Sequence, residues 1–177
     1  MSLYMMRHGE SYGNISDHSW EHPSFNFLTL RGQEQATSAA YLLKEKAKPI
    51  DIIFASTVMR AHHTARIVAD IIGVDLGDVL TTPALDEVYH SGPHTLSENP
   101  DKIKMRFRDG DNFLFDRMLE AGKTILLISH ALLMRHYLAH HCGLPLVGPD
   151  RTHIEHCTPY EMMVHEGKRT GCYQILN

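Results

Sequence analysis

Leu3-Tyr4-Met5-Met6-Arg7-His8-Gly9-Glu10-Ser11 opens on four apolar side chains and turns abruptly to charge. The run is too short for a helix and has strand character, and Arg7-His8-Gly9 falls where a strand hands over to a loop. Two distant segments repeat the pattern. Ile52 to Ala55 leads into Ser56-Thr57-Val58-Met59-Arg60, and Ile125 to Ile128 leads into Ser129-His130. Short apolar runs bounded by polar residues and alternating with helical patterns read as buried strands of a parallel sheet. The chain is therefore read as α/β, a three-layer α/β/α sandwich with a mostly parallel central sheet.

In such sheets ligands bind outside the carboxyl ends of the strands, so residues just past three strands meet in one crevice. Arg7, His8, Arg60 and His130 would share it. Four potentially cationic groups repel one another unless an anion sits between them. Phosphate is the natural guest, because the guanidinium fork matches phosphoryl oxygens in a way an ammonium does not. Each residue alone could be a surface arginine or a packing histidine; their joint placement argues for a site.

Between the strands the helical signals are regular. Leu30 to Ala47 carries Ala36, Ala39, Ala40, Leu43 and Ala47 on one face, with Thr29 as N-cap. Val58 to Ile72 is a second helix ended by Gly73, and Leu132 to Cys142 a third ended by Gly143 with Pro145 beyond. Tyr160 to His165 and Thr170 to Leu176 flank Gly167 and read as a hairpin or paired strands. No repeats, low-complexity tracts or linkers appear. Residues 1–177 are read as one domain, with 88–122 as a small lid insertion.

Composition narrows the function classes. A chain of 177 residues can bury a sizeable core. A net charge of -4 and a pI near 6.4 argue against a broad nucleic-acid surface. No apolar stretch reaches membrane-span length, and the most apolar one, Ile125 to Leu138, is broken by His130, Arg135 and His136. With Arg7-His8-Gly9 so near the first residue there is no room for a cleavable leader, so a cytoplasmic location is expected. Cys142, Cys157 and Cys172 are odd in number without CxxC pairing and read as reduced thiols. Among the fourteen histidines, His136 and His140 have i, i+4 spacing, but no third ligand is evident and no metal or other cofactor is expected.

The segments resemble a known family. Arg7-His8-Gly9-Glu10-Ser11 with Asn14, Leu28-Thr29-Leu30-Arg31-Gly32-Gln33-Glu34-Gln35-Ala36, Ala55 to Ala65, Leu85-Asp86-Glu87 and Ser129-His130 are similar, in order and spacing, to the histidine phosphatase superfamily, the phosphoglycerate-mutase-like enzymes. The resemblance runs from residue 4 to the C-terminus. It implies a phosphoglycerate-mutase-like fold and a phosphomonoesterase of the histidine acid phosphatase type, with His8 as nucleophile. A covalent phosphohistidine splits one difficult displacement into two easier ones. Charge spreads over the equatorial oxygens in the transition state, so Arg7, Arg60 and His130 would supply most of the catalysis electrostatically.

Glu87 matches the family's proton donor, and the same group would then activate the water that attacks phosphohistidine. It could instead be a solvated loop carboxylate, and Glu10, Asp86 and Glu98 compete for the role. Ser11 and Asn14 stand where family members contact the phosphoryl group or substrate; hydroxyl and Asx turns that cap the loop explain them equally well. Ala131 departs from the glycine that usually follows the second histidine. Its backbone N–H at a helix start still suits an anion, with a less free approach.

Two stretches carry no readable motif. Residues 15–27 hold His18, Trp20, His22, Phe25 and Phe27 and read either as a pocket wall or as a surface loop. In 88–122, Lys102, Lys104, Arg106 and Arg108 alternate with apolar residues, as a solvated face or as readers of a second anionic group. The expected partner is a phosphorylated small molecule, with a phosphoprotein possible and neither nucleic acid nor membrane; oligomeric state is left open. A phosphoglycerate-type mutase is the first alternative, and a phosphate- or phosphoprotein-binding module with weak turnover the second.

Overall fold

The computed structural model describes residues 2–15, 26–87, 121–143, 153–165 and 168–174, without the side chains of 140–142, 163–165 and 168–174. Glu98, the side chain of His140, residues 16–25 of the first motif-free stretch and 88–120 of the segment expected to form a lid, with its four basic residues, lie outside them.

Among the described residues six strands form one sheet: β1 (Leu3–Arg7), β2 (Ile52–Ala55), β3 (Val79–Thr81), β4 (Ile125–Ser129), β5 (Pro159–His165) and β6 (Lys168–Gln174), in the order β3-β2-β4-β1-β5-β6. The pairs β1·β4, β4·β2 and β2·β3 are parallel, while β5 runs antiparallel to β1 and to β6. A mostly parallel sheet with an antiparallel edge is thus the observed form. The α-helices among the described residues are α1 (Tyr12–Ile15), α2 (Leu30–Lys46), α3 (Met59–Ile72) and α4 (Ala131–Cys142).

The three layers follow from the period-2 alternation of strand side chains. Leu3, Met5, Ile52, Phe54, Ile125 and Leu127 pack with Leu133, Met134, Tyr137 and Leu138 of α4 on one face. Their neighbours Tyr4, Met6, Ile53, Ala55, Leu126 and Ile128 pack with Ala36, Ala39, Ala40 and Leu43 of α2 and Ala61, Ala65, Val68 and Ala69 of α3 on the other. With both faces buried, a one-residue slip of any central strand would exchange its two sets, so register is tightly specified. Register then fixes which residues emerge together at the carboxyl edge.

Helix ends obey the expected chemistry. Thr29 Oγ1 accepts from Gly32 N–H at 3.0 Å to open α2. Gly73 (φ 85°) and Gly143 (φ 68°) close α3 and α4 in the left-handed conformation, donating to Ala69 O and Ala139 O. The hairpin's second strand starts and ends about two residues earlier than the pattern predicts, with a bulge between Met163 and Val164. Strand β3 gave no signal in the sequence because it is three residues long and mostly exposed. Among the described residues no helix is long and apolar enough to cross a membrane.

Candidate active site

Parallel pairing places Arg7 of β1 opposite Ser129 of β4, and Ala55 of β2 opposite Ile128. The ladder continues one residue further, with His8 N donating to Ser129 O at 2.9 Å and Ser56 N to Ile128 O at 3.0 Å. His8, Ser56 and His130 therefore leave the sheet side by side. All three are buried, at 2%, 0% and 0% exposure.

Proton accounting fixes the state of both imidazoles. His8 Nδ1 lies 2.7 Å from Gly9 O, and a carbonyl only accepts, so Nδ1 carries the hydrogen and Nε2 is bare. Arg60 Nε donates to that bare Nε2 at 3.0 Å. His130 Nε2 lies 2.8 Å from Ser56 Oγ, whose single hydrogen goes to Asp86 Oδ1 at 2.6 Å. His130 Nε2 must therefore donate, which leaves Nδ1 bare toward Arg60 Nη2 at 3.3 Å. The third arm of the same guanidinium, Nη1, donates to Asn26 Oδ1 at 2.7 Å.

Electrostatics agree. Burial first, then His130 and Arg60 nearby, hold His8 well below the ordinary histidine range. Burial, then Arg60 and Arg7, do the same to His130. Arg7 donates through Nη1 to Ile154 O at 2.9 Å, while its buried Nε has no hydrogen-bond partner among the described residues. A buried guanidinium N–H left without an acceptor is costly, and an anion between Arg7 and Arg60 would satisfy it. Burial also pulls the Arg7 pKa down, partly opposed by Glu87.

The neighbouring carboxylates divide sharply. Asp86 accepts from Ser56 Oγ, Thr57 N (2.8 Å) and Thr57 Oγ1 (2.7 Å), tying the 3₁₀ turn Pro83–Leu85 to the β2–α3 loop. Glu87 points the other way and accepts from Leu133 N at 3.2 Å in the first turn of α4, one turn from His130 and near Arg7. Glu10 accepts from Thr29 Oγ1 at 2.8 Å and faces Arg31 at 3.7 Å, so it serves the start of α2. Ser11 and Asn14 bond to each other: Ser11 Oγ donates to Asn14 Oδ1 at 2.8 Å, and Asn14 N to Ser11 O at 2.8 Å. That is the local turn of the two readings their residue types allowed.

Gly9 is needed for a close backbone contact. A Cβ there would overlap the Gly32 carbonyl, and one on Gly32 would overlap the Glu10 carbonyl, so the loop that follows His8 sits directly on the first turn of α2. Thr64 of α3 locks the loop from the other side, accepting from Gly9 N at 3.1 Å and donating to Arg60 O at 2.7 Å.

Three residues gained roles that the motifs did not assign. Asn26 orients Arg60 from inside the first motif-free stretch and carries no signal of its own. His156 donates through Nδ1 to the His8 carbonyl at 2.8 Å, its ring 5.4 Å from that of His8; only the abundance of histidine hinted at it. Ser56 was in view as part of a motif, yet its bridge to Asp86 depends on tertiary contact. Cys157 is free and buried, its thiol pushed up to about 12 by burial, and its N–H anchors Arg7 O at 3.0 Å. Among the described residues no cluster of three metal-ligating side chains occurs.

Residues 3–117 match the family model described as the histidine phosphatase superfamily (branch 1). The chain is 29% identical over 108 residues to a 2,3-bisphosphoglycerate-dependent phosphoglycerate mutase of Bartonella henselae, covering 60% of this chain and 50% of that one. It thus spans half the length of that relative. The "Probable phosphoglycerate mutase GpmB" of Enterobacter sp. strain 638 is 27% identical over 185 aligned positions, covering 89% of this chain and 82% of the other. The solved structure of the protein histidine phosphatase SixA complexed with tungstate superposes with a TM-score of 0.67 at 18% identity, covering 98% and 94% of the two chains.

Proposed function

The chain belongs to the histidine phosphatase superfamily, and from that premise we propose that it is a phosphomonoesterase working through a phosphohistidine on His8. The observation that carries this reading is the bare Nε2 of His8, held by the Nδ1–H to Gly9 O bond and met by Arg60 Nε at 3.0 Å. A buried imidazole kept neutral at ordinary pH is a competent nucleophile.

As the substrate enters, its phosphoryl oxygens take over the donors of Arg60 and satisfy the Arg7 Nε–H, which frees the Nε2 lone pair for in-line attack. The guanidinium groups are in place beforehand, so little reorganisation accompanies the charge developed at the equatorial oxygens. Glu87, beside Arg7 and the start of α4, protonates the leaving oxygen and then takes a proton from the water that cleaves phosphohistidine. The substrate is a phosphorylated small molecule, with a phosphoprotein as the alternative. Phosphomutase activity is the second reading, favoured by the named mutases among the relatives.

The test pairs turnover with binding. His8→Ala should abolish phosphate release from a panel of phosphomonoesters while still binding vanadate, and Arg7→Ala and Arg60→Ala should weaken both. Substantial turnover by His8→Ala removes the assignment. Transfer of the phosphoryl group to a phosphoglycerate acceptor faster than its release to water replaces phosphatase by mutase.

A further inference from the structure

We infer that Asp86, acting through Ser56, is a positioning residue that lets His130 take up a proton when an oxyanion enters the site. The inference rests on the reading of the pocket as a phosphoryl site and assigns a task to the carboxylate that does not touch it.

The geometry requires a change of state. With Nε2–H committed to Ser56 Oγ at 2.8 Å, the bare Nδ1 of His130 faces the same Arg60 guanidinium that meets His8. An oxyanion seated on that guanidinium would confront the Nδ1 lone pair with its own oxygen lone pairs. Lone pair against lone pair is repulsive; a second N–H on His130 turns the contact into a charge-assisted hydrogen bond. The proton must then sit on a fully buried imidazole, where a cation is costly without a partner.

Ser56 and Asp86 supply that partner. The Ser56 hydroxyl accepts from His130 Nε2 and, at 3.1 Å, from Val58 N, and passes its only hydrogen to Asp86. Asp86 is held by two further donors from Thr57, so it cannot swing away. Among the described residues, the other groups near His130 are Arg60 from α3 and Arg7 and His8 from the end of β1, with Glu87 held against Leu133 in the first turn of α4. The arginines oppose the added proton, and the bound anion cancels their effect. The negative end of the Ser56–Asp86 chain is what remains on the Nε2 side.

The probe is sulfate, which stays a dianion throughout the range used, measured by calorimetry from pH 5.5 to 8.5. Work in a His8→Ala background leaves His130 as the imidazole whose bare nitrogen faces the anion. The expected dissociation constant rises about tenfold per pH unit on the alkaline side, the mark of one linked proton. Asp86→Asn keeps an acceptor for Ser56 and Thr57 and should raise the dissociation constant about tenfold at each pH along that rise, ending the rise about one pH unit lower; Ser56→Ala should do likewise. A profile unchanged in Asp86→Asn and Ser56→Ala overturns the relay while leaving the anion site intact. Failure of sulfate to bind the wild-type protein overturns the anion site and the relay together.

Discussion

Two neutral imidazoles sealed in the core make the protein's stability fall as the pH drops. Both His8 and His130 are depressed well below the unfolded value of about 6.5. Below that value the unfolded chain binds protons that the folded one refuses, so unfolding gains free energy as pH falls. The stabilisation is fully present above the unfolded value and is lost through the window between it and the lower folded values. Each imidazole then costs at most about 1–2 kcal/mol at pH 5.5 and almost nothing at pH 7.5. The pair should remove up to about 3 kcal/mol over that interval, a large share of the roughly 5–15 kcal/mol that holds a domain together. His156, lowered by burial as well, adds in the same direction. Urea unfolding at the two pH values reads the loss, and a His8→Asn/His130→Asn double variant should lose up to about 3 kcal/mol less across the same interval, whatever its absolute stability. An equal loss in wild type and double variant would refute the argument, since the protons would then be going elsewhere.

Two further outcomes follow from single contacts. Gly9→Ala drives a methyl into the Gly32 carbonyl, where backbone rather than a flexible side chain must yield, so it should cost about 3 kcal/mol in urea unfolding and misplace His8; stability within 0.5 kcal/mol of wild type would show the loop free to move, a threshold about the size of an ordinary surface effect. Glu87→Gln keeps an oxygen for Leu133 N and so should fold, but it should lose on the order of 100-fold on alkyl phosphates and far less on p-nitrophenyl phosphate, whose leaving group needs no proton. Equal small losses on both substrates would move the donor role elsewhere.

The fold was legible because its signals are local. Apolar runs of four or five residues, a Thr29 cap and glycines at 73 and 143 act over a few residues of chain, and the structure keeps each of them within a residue or two. The grouping of Arg7, His8, Arg60 and His130 was legible too, since parallel strands must release their next residues at one edge. Roles within that group were not. Asp86 and Glu87 are adjacent, identical in charge and equally suited by composition to donate a proton, yet one is bound by three donors of the β2–α3 loop and the other turns to α4. Ser11 and Asn14 likewise offered two uses, and their mutual bond, which makes the loop turn, is a tertiary detail the residue types alone do not fix. The nitrogen that carries each histidine's proton is decided by Gly9 O on one side and by Ser56 on the other, and the glycine at position 9 by a carbonyl 23 positions along the chain. Sequence patterning determines which residues reach the carboxyl edge because it sets burial and register. Hydrogen-bond direction at that edge is decided by the tertiary structure, because each donor must find an acceptor that distant segments bring to it.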